Sequence, residues 1–292
     1  MTFFAANSLL ARLALREHEI DAGSFTTVRI CSGAVALAIL VVSRGGGLAS
    51  LRSNGSWTAA LALFGYAVGF SFAYLSLDAG VGALILFAAV QITMIGAGIS
   101  RGEHPKASEW VGLAVALAGL FYLVSPGLTA PSFGGATLMA ASGAAWGGYS
   151  LAARGVRLPT AAPAGNFIRA APMAIAVMLI SWAAGQSRAS YSGLGLAAIS
   201  GAITSGVGYA IWYMALKDLS ANRAAIVQLT VPVIAAAAGV IFLGERMTWR
   251  LALATAAILG GVALALRGGR AAGSLLGSDL SGPCGSIQAG NR

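Results

Sequence analysis

Along this chain the polar residues gather in short clusters, and the apolar residues between them form long, nearly uninterrupted runs. Stretches such as 57–77 and 79–100 carry no Asp, Glu, Lys or Arg and reach the roughly 20 residues that a helix needs to cross a bilayer. The pattern predicts ten helices, at about 3–17, 24–43, 57–77, 80–99, 108–125, 132–153, 163–184, 192–216, 221–243 and 248–267. The length of the runs and their Ala/Leu/Gly content favour helix over barrel strands, which alternate and need only about 9–11 residues. The first run is short and contains Arg12, so either it packs inside protein or the sequence begins within it. No cleavage-site pattern follows it, and it is expected to be retained. Beyond residue 267 the periodicity stops, and the Gly/Ser-rich segment 268–292 reads as a disordered cytoplasmic tail.

Composition agrees with a chain whose main solvent is lipid: 58% hydrophobic, 9% charged, mean hydropathy +0.81. The net charge of +9 is concentrated in alternate loops. With the N-terminus inside, Arg44, Arg52, Arg101, Lys106, Arg154, Arg157, Lys217, Arg223, Arg267 and Arg270 face the cytoplasm, and only Arg16, Arg188, Arg246 and Arg250 face out. That bias puts both termini in the cytoplasm and accounts for the charge with no nucleic-acid partner. Cys31 and Cys284 make no disulfide framework, and His18 and His104 have no companions at ligand spacing, so neither metal nor cofactor is expected.

The joint "FLGERMTW" (242–249) has an upstream echo in "ISRGEHPKASEW" (99–110), which sets Glu103 142 residues before Glu245. "NSLLAR" (7–12) precedes "YSLAAR" (149–154) by 142, while Arg29 precedes Arg169, and Asp78 precedes Asp218, by 140. Phe70 and Tyr74 precede Tyr209 and Tyr213 by 139. The chain therefore reads as two copies of a five-helix unit, 1–125 and 132–267. An odd helix number turns the second copy upside down, an arrangement that places a substrate site at the midplane between the halves. Both joint glutamates read as hydrated corners, with Ser108 and Thr248 capping the helices that follow.

The doubled "LGER…W" joint after the fourth helix of a five-helix unit resembles the EamA-type transporters of the drug/metabolite transporter superfamily. "SRGEHP" in place of "LGERMT" makes the first copy the weaker match. Within the superfamily the chain is most similar to the YddG-type amino-acid exporters. The resemblance implies a multi-pass protein of the bacterial cytoplasmic (inner) membrane, working as a monomer, whose partners are the lipid bilayer and a small-molecule substrate such as an amino acid.

Candidate substrate contacts are the rings of Phe70, Tyr74, Trp146, Tyr149, Tyr209 and Tyr213, with Asn7, Gln91 and Gln228 as polar members. Tyr66, Phe70 and Tyr74 share one helix face by their four-residue spacing. Such a stripe lines a cavity or faces lipid, and each glutamine is a substrate contact or a tie between helices. Pro232 interrupts the ninth span and predicts a kink there, a candidate gating hinge, with Pro172 a lesser break in the seventh. Arg29 with Asp78, and Arg169 with Asp218, are expected either to snorkel or to pair as structural ion pairs. No acid lies deep in a span, so downhill rather than proton-driven movement is expected. The same absence weighs against a multidrug exporter of cations. A membrane-embedded enzyme would need a nucleophile, base or metal-ligand motif, and none is present. A scaffold would have little use for a doubled, proline-broken bundle.

Overall fold

A computed structural model describes residues 1–102, 106–124, 131–219 and 221–270, so the Glu103 joint and the tail beyond 270 lie outside the described residues. Among the described residues every regular element is a helix, and the one extended pairing is an isolated antiparallel bridge between Ile20 and Ala189. In chain order the helices are α1 (Thr2–Arg16), α2 (Ala22–Ser43), α3 (Leu48–Ser53), α4 (Trp57–Ala73), α5 (Ala79–Ser100), α6 (Ala107–Val124) and α7 (Phe133–Ala153). Then follow α8 (Ala161–Ala183), α9 (Tyr191–Ile199), α10 (Gly208–Leu216), α11 (Ala221–Gln228), α12 (Thr230–Leu243) and α13 (Trp249–Arg270). Among the described residues, five helical stretches are long and apolar enough to cross a membrane: Ala22–Ser43, Ala79–Ser100, Ala161–Ala183, Tyr191–Leu216 and Arg223–Leu243. Shorter apolar helices add to them, including Trp57–Ala73, Ala107–Gly119 and Trp249–Gly261.

Several expected spans are modified. The eighth is not one α-helix: α9 and α10 are joined by a π-helical stretch, Ser200–Val207, in the small-residue run SGAITSGV. The ninth breaks between Gln228 and Thr230. Pro232 has no N–H to give to the carbonyl of Gln228, four residues earlier, so the helix ends there and restarts. Pro172, by contrast, sits inside a continuous α8. The short α3 was not foreseen, and α13 continues to Arg270, three residues past the expected end. Ser108 lies inside α6 rather than before it, whereas the Thr248 hydroxyl does cap α13, accepting from the Leu251 amide at 3.1 Å.

The helices pack through small residues. α2 lies along α8 and along the π-helical stretch, α6 along α13, and α7 against both α4 and α5. At the α5–α7 crossing a Cβ on Gly143 would lie 2.2 Å from the carbonyl oxygen of Leu86 and 2.8 Å from Ala89 Cβ. On the next turns of α7, Gly148 has nothing within 4 Å of its Cβ position. We therefore expect Gly143→Ala to lower stability by about 1–3 kcal/mol by forcing the helices apart. Gly148→Ala should leave stability unchanged or raise it by up to about 1 kcal/mol. Thermal unfolding of the two purified proteins in one detergent checks this, and equal midpoints would refute the close-crossing argument.

At one end of the bundle the α1–α2 turn is tied to the α8–α9 turn. The Glu19 carboxylate accepts from the Ser190 and Ser192 hydroxyls, which lowers its pKa, and the Glu19 carbonyl accepts from the Ser190 amide at 2.7 Å. Asp21 caps α2 by accepting from Ser24 N at 2.9 Å, and its second oxygen takes the Arg188 amide at 3.1 Å.

Candidate substrate site between the helices

The aromatic stripe of α4 faces inward. Tyr66, Phe70 and Tyr74 are all buried, and so are Trp146 and Tyr149 of α7 and Tyr209 and Tyr213 of α10. Trp146 is the hub: its ring lies 4.7 Å from Tyr209, 5.0 Å from Tyr66, 5.2 Å from Phe4 and 5.5 Å from Tyr149. Tyr149 continues the cluster to Tyr213 at 5.6 Å, and Phe167 of α8 closes on Tyr209 at 5.3 Å. The rings touch one another edge-on or tilted, the arrangements aromatic quadrupoles favour, so this core is packed shut.

Polar groups thread the cluster. Trp146 Nε1 donates to Gln228 Oε1 at 2.7 Å, and Gln228 Nε2 reaches the Ala224 carbonyl at 3.2 Å and Met94 Sδ at 3.4 Å. Gln91 donates to the Ala225 carbonyl and so ties α5 to α11, which makes it a helix tie. Asn7 donates to the Tyr66 hydroxyl at 3.1 Å and accepts from Ser200 Oγ at 2.6 Å and Thr204 Oγ1 at 3.3 Å. The predicted set is thus brought together except at its edges. Gln91 lies beside α11, and Tyr74, whose ring meets Phe70 edge-to-face at 4.7 Å, spends its hydroxyl on the Ala79 carbonyl. Sequence reasoning set Trp212 beside Tyr209 and Tyr213 on the eighth span but missed Phe4, Phe167 and Asn166 as members. Trp212 Nε1 donates to Ser150 Oγ at 3.2 Å, and Asn166 Nδ2 donates to Tyr213 Oη at 3.1 Å.

The expected ion pairs are not formed. Arg29, the eighth residue of α2, lies about 10 Å along that helix. Its guanidinium enters the aromatic core, where Nε donates to Ser205 Oγ at 3.0 Å and Nη2 donates to Tyr66 Oη at 2.7 Å and Tyr209 Oη at 3.2 Å. Asp78 is taken by Arg12 instead, Nη2 to Oδ1 at 3.0 Å. Arg169 donates to three carbonyls, those of Asn54 at 2.8 Å, Gly165 at 2.9 Å and Arg52 at 2.7 Å, while Asp218 is exposed. The carbonyls at the end of α3 supply negative potential at short range, so Arg169 needs no carboxylate.

The Glu245 joint is not a hydrated corner. Its side chain is only 6% exposed; Oε1 accepts from the Ala79 amide at the start of α5 at 2.8 Å and lies 3.7 Å from Arg12 Nε. Gly244 makes the turn possible by adopting the left-handed conformation (φ 62°) at the end of α12. Burial pushes the Glu245 carboxyl above its usual range, against the lowering effect of the Ala79 amide and of Arg12. Arg12 also donates to the Tyr74 carbonyl at 3.1 Å, and Arg16 to that of Leu243 at 3.0 Å. Two arginines of α1 thus clamp the ends of α4, α5 and α12 beside a recess of about 460 Å³ lined by Leu77, Val81 and Thr248, among others.

A solved crystal structure of another protein, 21% identical, shares this fold with a TM-score of 0.70 over 92% of this chain and 97% of that one. An uncharacterized protein of Pseudomonas aeruginosa is 51% identical over 274 residues, covering 93% of this chain and 94% of its own length. The model of the EamA-like transporter family matches twice, over residues 1–125 and 133–267. Those matches cover nearly all of the bundle, and the chain belongs to the EamA-like transporter family, a family of multi-pass membrane transporters and not of enzymes.

Proposed function

We propose that the protein exports small amphipathic metabolites, neutral and aromatic amino acids among them, across the bacterial inner membrane. The observation that carries this reading is the buried core around Trp146, whose walls are aromatic and whose polar groups are amides, hydroxyls and the guanidinium of Arg29. Flat apolar side chains of a substrate find stacking partners there, and its polar groups find hydrogen-bond donors and acceptors. The core holds no carboxylate among its described hydrogen-bonding groups, which disfavours cationic drugs as cargo.

The cycle is alternating access. The halves 1–125 and 132–267 act as inverted five-helix repeats, with both termini cytoplasmic. The double family match and the pairing of like helices, α2 with α8 and α6 with α13, support it. Because the packed rings close the core, passage requires them to part from one side at a time, with the break at Gln228–Thr230 ahead of Pro232 as a hinge. Movement is downhill, and one chain supplies both halves. Counterflow in proteoliposomes across all twenty amino acids tests the proposal. Uptake of at least one aromatic or neutral amino acid above that of empty liposomes is expected, and uniform failure would overturn it.

A further inference from the structure

Arg12, Arg29 and Arg169 each reach between helices, and two of the three find negative partners. Arg12 meets two carboxylates and a carbonyl, and Arg169 meets three carbonyls. Arg29 is the exception. It is 1% exposed, all of its partners are neutral hydroxyls, and its Nη1 is buried with no hydrogen-bond partner. A guanidinium does not escape by deprotonation, so a full positive charge stands in the aromatic core without a counter-charge. The faces of Tyr66 and Phe70, 5.0 and 4.8 Å from Cζ, offset part of that cost. They leave the edge of the fork uncommitted at Nη1.

A planar cation with a spare donor, set among rings at the hub of the bundle, matches one ligand chemistry: a carboxylate on an apolar or aromatic body. We propose that Arg29 is the anchor for the carboxylate of the transported substrate, a small monocarboxylate whose apolar part lies among Trp146, Tyr209 and Phe4. The proposal rests on the transport reading above and narrows it. The carboxylate is required because it neutralises the core, whereas an ammonium group is not required, since no acid of the core would answer it. Tyr66 and Tyr209, which both accept from Arg29 Nη2, hold the guanidinium in place and hand it over as the rings part. A cross-link between α2, α4 and the π-helical stretch would also bury Arg29, but it gives no reason for an orphaned nitrogen.

The test uses the full-length protein in detergent with four phenyl compounds of similar size: 3-phenylpropionate, its primary amide, phenethylamine and phenylalanine. Thermal midpoints and calorimetric titration read binding. The two carboxylates are expected to raise the wild-type midpoint, and the amide and the amine to leave it unchanged. Arg29→Gln should weaken carboxylate binding about ten- to hundredfold or more, the loss of a charge-assisted bond. Arg169→Gln should keep the full response. If Arg29→Gln does not purify as a monodisperse protein, Arg29→Lys takes its place, and the expected result is a weakened response because an ammonium lacks the planar fork. Equal binding of acid and amide, unweakened binding by the Arg29 variants, or no carboxylate binding to the wild type would each overturn the proposal. Arg29-dependent binding of 3-phenylpropionate with no amino acid carried in counterflow would leave the anion site standing and remove the amino-acid reading. Amino-acid counterflow undiminished in the Arg29 variants would do the reverse.

Discussion

Trp146→Ala is expected to abolish transport and to lower stability by about 3–5 kcal/mol, the range for emptying a packed aromatic position. The ring touches those of Phe4, Tyr66, Tyr149 and Tyr209, contributed by α1, α4, α7 and α10, so its loss opens a void where four helices meet. In lipid the packing contacts carry more of the burden than in water, because the surrounding chains are themselves apolar. Trp146→Phe separates packing from hydrogen bonding. It keeps most of the ring area but strands Gln228 Oε1, which the indole N–H now satisfies at 2.7 Å. The stranded acceptor should cost about 1–3 kcal/mol. Unfolding midpoints and counterflow on the same preparations check both variants. A Trp146→Ala protein as stable as the wild type would show that the ring is not the hub described here.

At the other end of α1, Arg12→Gln should spring the clamp. It removes the cation beside Glu245, whose carboxylate is then buried with only the backbone amides at the start of α5 to hold it. Breaking one member of a buried pair costs about 3–5 kcal/mol, set here against a closed arrangement that the open one escapes by wetting the carboxylate. Asp78, 55% exposed on its side chain, loses its partner at little cost because water replaces it. The signs then differ among the variants. Because burial raises the Glu245 carboxyl, the closed arrangement binds its proton more readily than an open, hydrated one. Its contribution to closure is therefore full below the ordinary glutamate range and is lost as pH rises through the raised value. Glu245→Gln mimics the protonated group and should favour closure, and in the Arg12→Gln background it should restore it. The reporter is Leu77→Cys, a buried position beside the recess, in a protein with Cys31 and Cys284 replaced by Ser. Labelling by a membrane-impermeant maleimide should quicken about tenfold or more with Arg12→Gln and return to the parent rate in the double variant. If Arg12→Gln labels no faster than its parent, the clamp does not hold this end shut.

The class of the chain was legible from run length and composition, since nothing but a membrane accommodates so many uncharged helices in sequence. The α4 stripe was legible too, because a four-residue spacing of Tyr66, Phe70 and Tyr74 admits only one shared face. Which way that face points depends on neighbours distant in sequence, and only the packing of α7 and α10 decides it. The ion pairs failed for a related reason. Matching offsets of 140 say that Arg29 and Arg169 occupy like places in two copies, not that their surroundings are alike. The end of α3 gives Arg169 two carbonyls, whereas hydroxyls of α4, α10 and the π-helical stretch receive Arg29. Glu245 looked hydrated because it sits in a short polar joint; burial comes from α1 folding over it, with Arg12 as the contact.

The π-helical stretch Ser200–Val207 stores slack in the backbone. Its wide turns leave room for α2 to press in: a Cβ on Gly201 would lie 1.9 Å from Ser32 Oγ and 2.1 Å from the Arg29 carbonyl. Each residue moved between a wide turn and an α turn rotates everything downstream by about 100° around the axis. Tyr209 and Tyr213 ride on the segment that follows, so tightening this one stretch would swing both hydroxyls away from Arg29 and Asn166 without unfolding a helix or breaking the chain's path. The molecule thus carries, next to its buried cation, a stretch whose pitch works like a screw thread: a short change of winding there becomes a wide arc at the rings.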